Sequence, residues 1–97
     1  MLDAAFLNTF GAWFNVDLID IRDAQEVEDA ARACAVDYKT NIAEPEKLIA
    51  QLTKALETWE PKTVMEFIRA TDVDWLFDAE TERRLKEILV IIIDELT

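Results

Sequence analysis

The sequence predicts an all-α domain: a compact bundle of about five helices packed around the C-terminal one. Three observations carry that prediction. Glycine occurs once and proline twice in 97 residues, too few for the tight turns of an all-β domain. Apolar residues recur at helical spacing in several separate stretches. The last stretch, 81–97 (TERRLKEILVIIIDELT), places Leu85, Ile88, Leu89, Ile92 and Leu96 on one stripe, with Val90, Ile91 and Ile93 lying off it.

The elements follow in order. Leu2, Ala5, Phe6 and Phe10 predict a short first helix over 2–10. Gly11, in the segment FGAWFNVD (10–17), reads as the end of that helix or a point of close backbone approach. Phe10, Trp13 and Phe14 read together as a core plug, because large aromatics dominate core burial. The alternating segment 15–23 reads as an extended linker, since no second strand is there to pair with it. Asp23, with Glu26 three residues on, has the spacing of a capping box. It opens a helix over about 24–38 that turns Val27, Ala30, Ala31, Cys34 and Tyr38 inward, with Cys34 as a small core residue.

Residues 39–44 read as a loop. Pro45 suits a first helical position and starts a helix over about 45–59, with Leu48, Leu52, Ala55, Leu56 and Trp59 on one face. Pro61 breaks it and starts another over about 61–71, with Val64, Phe67 and Ile68 inward. Residues 71–80 connect to the last helix and fold Trp75, Leu76 and Phe77 back on the core, with Asp78 as N-cap. The last helix is apolar nearly all round, so either the fold surrounds it or a second copy covers it as a homodimer. A short buried strand competes for 88–93, since Val and Ile favour sheets. Charged turns on both sides favour the helix. The apolar run falls well short of the ~20 residues a bilayer requires. Residues 1–97 form a single domain without repeats.

Charge is the strongest compositional fact: 21 acidic against 10 basic residues, net −11. That balance repels nucleic acid and anionic membranes. It attracts and steers a basic protein. Histidine is absent and cysteine single. The usual general base, the commonest zinc ligand and the imidazole of a nucleophilic triad are thereby missing. One glycine cannot build a phosphate-cradling loop. Asp72, Asp74 and Asp78 have a calcium-loop cadence, but Leu76 and Phe77 stand where a ligand and the turn glycine belong. The sequence therefore predicts a non-enzymatic protein with no metal and no cofactor. The lone cysteine and the lack of a basic leader segment predict a cytoplasmic location. Arg83, Arg84 and Lys86 sit among Glu80, Glu82 and Glu87 and read as intrahelical pairs.

Carboxylates crowd in two segments. Residues 17–29 hold Asp17, Asp20, Asp23, Glu26, Glu28 and Asp29 against Arg22 alone. Residues 72–82 hold Asp72, Asp74, Asp78, Glu80 and Glu82 with no basic residue. Helix N-termini favour acids but do not account for that density. Asp17, Asp20, Asp23, Glu26, Asp29, Asp72, Asp74 and Asp78 are the candidate partner-binding residues.

Laid out in this order, the chain resembles the small immunity proteins of bacterial contact-dependent growth inhibition systems. The resemblance rests on four segments: the aromatic turn FGAWFNVD, the acidic lead into a helix LIDIRDAQEVEDAARA, the proline-started EPEKLIAQLTKAL, and the closing DWLFDAETERRLKEIL. The Ile-rich 88–93 run departs from the polar last helix of that group. The resemblance implies a helical protein that binds the toxin domain of its own system and blocks it in the cytoplasm. Such toxins are often nucleases, whose substrate grooves are basic. The alternative is a phage-encoded acidic DNA mimic that blocks a restriction or CRISPR complex. That role needs carboxylates arrayed like phosphates over a long face, where an immunity protein needs one patch matched to one partner.

Overall fold

The structure, a computed structural model, describes residues 4–14, 20–41, 45–60 and 79–97, together with Lys62, Phe67 and Arg69. All-α architecture holds among them. Four helices can be bounded where about five are expected: α1 (Ala4–Phe14), α2 (Ala24–Asn41), α3 (Pro45–Glu57) and α4 (Ala79–Leu96). In the further helix expected at 61–71, Lys62, Phe67 and Arg69 have helical backbone, and the other residues lie outside the described set.

Helix α1 runs straight through Gly11, against the expectation that the helix ends there. A mid-helix glycine costs about 1 kcal/mol relative to alanine. The aromatic residues on either side offset it. Phe6, Phe10 and Phe14, each four residues apart, are fully buried. Phe10 stacks on Phe14 at 4.4 Å between ring centroids, and Phe67 meets Phe10 edge-on at 4.7 Å. Such contacts between residues four apart require the helix to continue. Trp13 is not part of this plug. It stands about 60° round the helix from Phe10 and is 38% exposed. The expected core role is corrected for Trp13 and holds for the two phenylalanines.

Helix α2 opens as expected. The Asp23 Oδ1 accepts the backbone N–H of Gln25 at 3.0 Å and of Glu26 at 3.1 Å, which makes Asp23 its N-cap. The reciprocal half of a capping box is displaced: the Glu26 Oε2 accepts the N–H of Asp20, not that of Asp23. Val27, Ala31, Cys34, Ala35 and Tyr38 are buried, and Ala30 packs at the margin of the core. The helix continues to Asn41, three residues past the expected end, because nothing between Tyr38 and Pro45 breaks it. α3 buries Leu48 and Leu52 and ends at Glu57, two residues early. Thr58 turns back there, its N–H and hydroxyl both donating to the Lys54 carbonyl. Pro61 also disfavours helical backbone at Glu60.

In α4 the expected stripe is buried in full: Leu85, Ile88, Leu89, Ile92 and Leu96. Ile91 and Ile93 pack at its margins, and Val90 is 55% exposed. The fold itself thus encloses Ile88, Leu89 and Ile92 of this run, covers Ile91 and Ile93 in part, and leaves Val90 exposed. Trp59 docks on the start of this helix, its indole N–H donating to the Glu82 carboxylate at 2.8 Å and its ring lying 5.1 Å from the Lys86 ammonium. α2 is the most extensive neighbour of α4. Arg84 Nη2 reaches the Arg22 carbonyl just before α2, and Arg32 Nη1, midway along α2, pairs at 3.0 Å with Glu95 near the end of α4. The two helices therefore run parallel. The expectations for Pro61, Val64, Ile68, Trp75, Leu76 and Phe77 lie outside the described residues.

Candidate functional site

The acidic segment predicted as a contact surface turns out to be partly a helix-starting device. Asp20 Oδ1 accepts the Arg22 N–H at 2.9 Å, closing an Asx turn. Asp23 caps α2, and Glu26 ties the N–H of Asp20 down. Asp29 accepts from the Gln25 side chain one turn back at 2.9 Å. These local bonds explain why acids crowd this segment. Asp20, Asp23, Glu26 and Asp29 nonetheless remain exposed, so their charge still faces solvent. Asp17, Asp72, Asp74 and Asp78 lie outside the described residues. Glu28 pairs with Arg32, a partly exposed cation that also bonds Glu95. Those hydrogen bonds, first to Glu28 and then to Glu95, raise the arginine above its ordinary value.

The feature that joins part of this acidic face to something else is a groove between α1 and α2. It is an open depression of about 700 Å³ lined by Ala12 and Trp13 from α1 and Glu26, Asp29, Ala30, Ala33 and Asp37 from α2. The α2 residues follow helical spacing, so one face of α2 forms the floor. Ala30 and Ala33 keep that floor low. Trp13 forms a wall. Its indole N–H donates to Asp37 Oδ2 at 3.0 Å, which fixes the ring in place. The groove is thus apolar at its base, aromatic on one side and carboxylate-rimmed. Of the predicted site residues the structure brings Glu26 and Asp29 to it. Trp13, Asp37 and the three alanines were not predicted. Their sequence signal is weak: a tryptophan off the phenylalanine stripe, and small residues spaced one turn apart.

Arg84, read from the sequence only as a member of an intrahelical pair, has a further contact. It pairs with Glu87 at 2.9 Å, as intrahelical pairing predicts, but it is buried, and its Nε has no partner among the described residues. Position 84 falls on the same stripe as Leu85 and Ile88, which is why it turns inward. Its role is to hold the Arg22 carbonyl, and so the turn that precedes α2.

Cys34 is fully buried, and burial first, then the nearby Asp37 charge, push its thiol up to about 12. A thiol in that state is neither a nucleophile nor a metal ligand. Among the described residues no three Cys, Asp or Glu side chains converge on a point that could hold a metal ion. No described helix is long and apolar enough to cross a membrane. Comparison with known proteins returns no family model, no curated protein and no solved structure that matches this chain.

Proposed function

We propose that the chain is an immunity protein, which binds a basic toxin domain of the contact-dependent growth inhibition type one-to-one and blocks it in the cytoplasm. The observation that carries the reading is the pinned, exposed Trp13 beside the acidic face of α2. Exposed tryptophans are characteristic anchors of protein interfaces. Acidic rims accelerate encounter with a basic partner. A nuclease domain is the toxin class whose phosphate-binding groove this charge fits. The resemblance in the four segments 10–17, 18–33, 44–56 and 74–89 adds to the reading. The DNA-mimic alternative has less support among the described residues. The carboxylates of 20–29 crowd the turn before α2 and the first turns of that helix, and part of their bonding capacity goes to the backbone.

The test is co-production of the chain with the toxin domain encoded beside it. The expected results are survival of cells that express the toxin, a 1:1 complex by light scattering, and an association rate that falls with added salt. Loss of both protection and complex would overturn the reading. A partner drawn instead from a restriction or CRISPR system would replace it with the mimic.

A further inference from the structure

We infer that the α1–α2 groove is an arginine-receiving subsite: it takes a guanidinium from a basic protein segment, stacked on Trp13 and bonded by the carboxylates of Glu26 and Asp29. This rests on the reading of the chain as a protein-binding inhibitor and names the chemistry its partner must present.

Four features of the groove converge on that occupant. The first is the ring. Trp13 is 38% exposed although it lies in a helix whose phenylalanines are all buried. Tryptophan is the strongest cation–π acceptor among side chains. The second is its fixed orientation. The bond to Asp37 spends the indole N–H within the protein and leaves the ring face as the surface on offer. A ring already immobilised loses less freedom on binding. The third is the floor. Ala12, Ala30 and Ala33 admit a flat group close to the backbone, where a branched side chain would hold it off. The fourth is the charge. Glu26 and Asp29 lie three residues apart on α2 and rim the same depression, with Asp37 further along. An ammonium can also sit over an indole, as Lys86 does over Trp59, but a planar donor fork that stacks flat on the ring and engages two carboxylates matches this combination better. At about 700 Å³ the groove has room for the side chain together with neighbouring residues of its segment. A bare metal ion does not fit, because among the described residues no three such ligands converge.

The experiment uses the full chain and two probes of equal charge, hexa-arginine and hexalysine, at physiological ionic strength, where diffuse attraction is screened beyond ~8 Å. Binding is followed by NMR. The Trp13 indole N–H signal is assigned by its loss in Trp13→Phe. Hexa-arginine is expected to move that signal and the amides of Ala30 and Ala33 most, and to bind roughly fivefold or more tightly than hexalysine. Trp13→Leu should bring the two peptides to within about twofold of each other. Glu26→Gln with Asp29→Asn, which keep the local acceptors, should weaken both. Equal affinities in the natural chain, absence of binding, or shifts centred elsewhere would each overturn the inference. If the peptides behave as expected but the chain neither binds nor neutralises a toxin, the subsite stands and the immunity reading fails. The reverse pattern keeps the immunity reading and removes the subsite.

Discussion

Replacing Asp23 should destabilise the protein in two separable steps. Its carboxylate does two things at once. One oxygen accepts two backbone N–H groups in the first turn of α2, and its charge lies at the positive end of that helix. Loss of an N-cap acceptor costs about 1 kcal/mol. The charge itself contributes a further ~0.3–1 kcal/mol. Asp23→Ala removes both, for a sum near 1–2 kcal/mol. Asp23→Asn keeps the acceptor and removes only the charge, for about 0.3–1 kcal/mol. In a domain of this size 1 kcal/mol moves the melting temperature by about 4–8 °C. Thermal unfolding followed by circular dichroism should therefore show a fall of about 4–16 °C for alanine and at most about half of that for asparagine. Equal falls for the two variants, or no fall in either, would refute the capping argument. The comparison also governs any test of binding at this cluster: Asn or Gln substitutions at Asp20, Asp23 and Glu26 remove charge with the turn intact, whereas alanine frays it.

Two more outcomes follow from the packing. Phe10→Ala should cost about 3–5 kcal/mol by urea unfolding, and Trp13→Ala less than half of that, because only Phe10 is enclosed by other rings; a larger loss for Trp13 would restore it to the core. The Cys34 thiol is held neutral in the folded chain up to about pH 12, against an ordinary value of 9.0. Between those values the unfolded chain has lost the proton and the folded chain retains it. Stability should therefore fall as pH rises through that window, with Cys34 contributing up to ~1.4 kcal/mol per pH unit. Cys34→Ala should flatten that slope, and a disulfide reagent should label the thiol only on unfolding. An unchanged slope, or rapid labelling of the folded protein, would contradict the burial.

The features the sequence predicts correctly are those in which local pattern and tertiary packing agree. The α4 stripe, the inward face of α2, the Asp23 cap and the Pro45 start each have one physical cause, and each appears. The misses come from competition between causes. Gly11 disfavours helix, but three phenylalanines four residues apart favour it more. Trp13 is large and apolar, yet helical phase sets it beside the stripe instead of on it. Arg84 is charged, and phase carries it inward all the same. The groove could not be anticipated at all, because its wall and floor belong to helices whose crossing no short segment encodes. The acids of 20–29 face solvent, and their density also serves the start of α2, a bonding role that charge counting alone does not reveal.

The parallel run of α2 and α4 has a consequence for how the molecule is made. Residues that meet along this seam lie 62 and 63 positions apart in the chain. Antiparallel neighbours joined by a short loop would meet almost as soon as they are synthesised. Here the helix with which α2 makes its most extensive contact leaves the ribosome after every other bounded helix. Until it does, Val27, Ala31, Cys34 and Tyr38 have no α4 to pack beside. Docking of this seam is thus postponed until α4 has emerged, and its rate carries the loop-closure entropy of a long separation, whereas small helical proteins are built mostly from local contacts. A nascent chain stalled before residue 79 should remain open to proteases and chaperones, and full protection should arrive in a single step once α4 is free to dock.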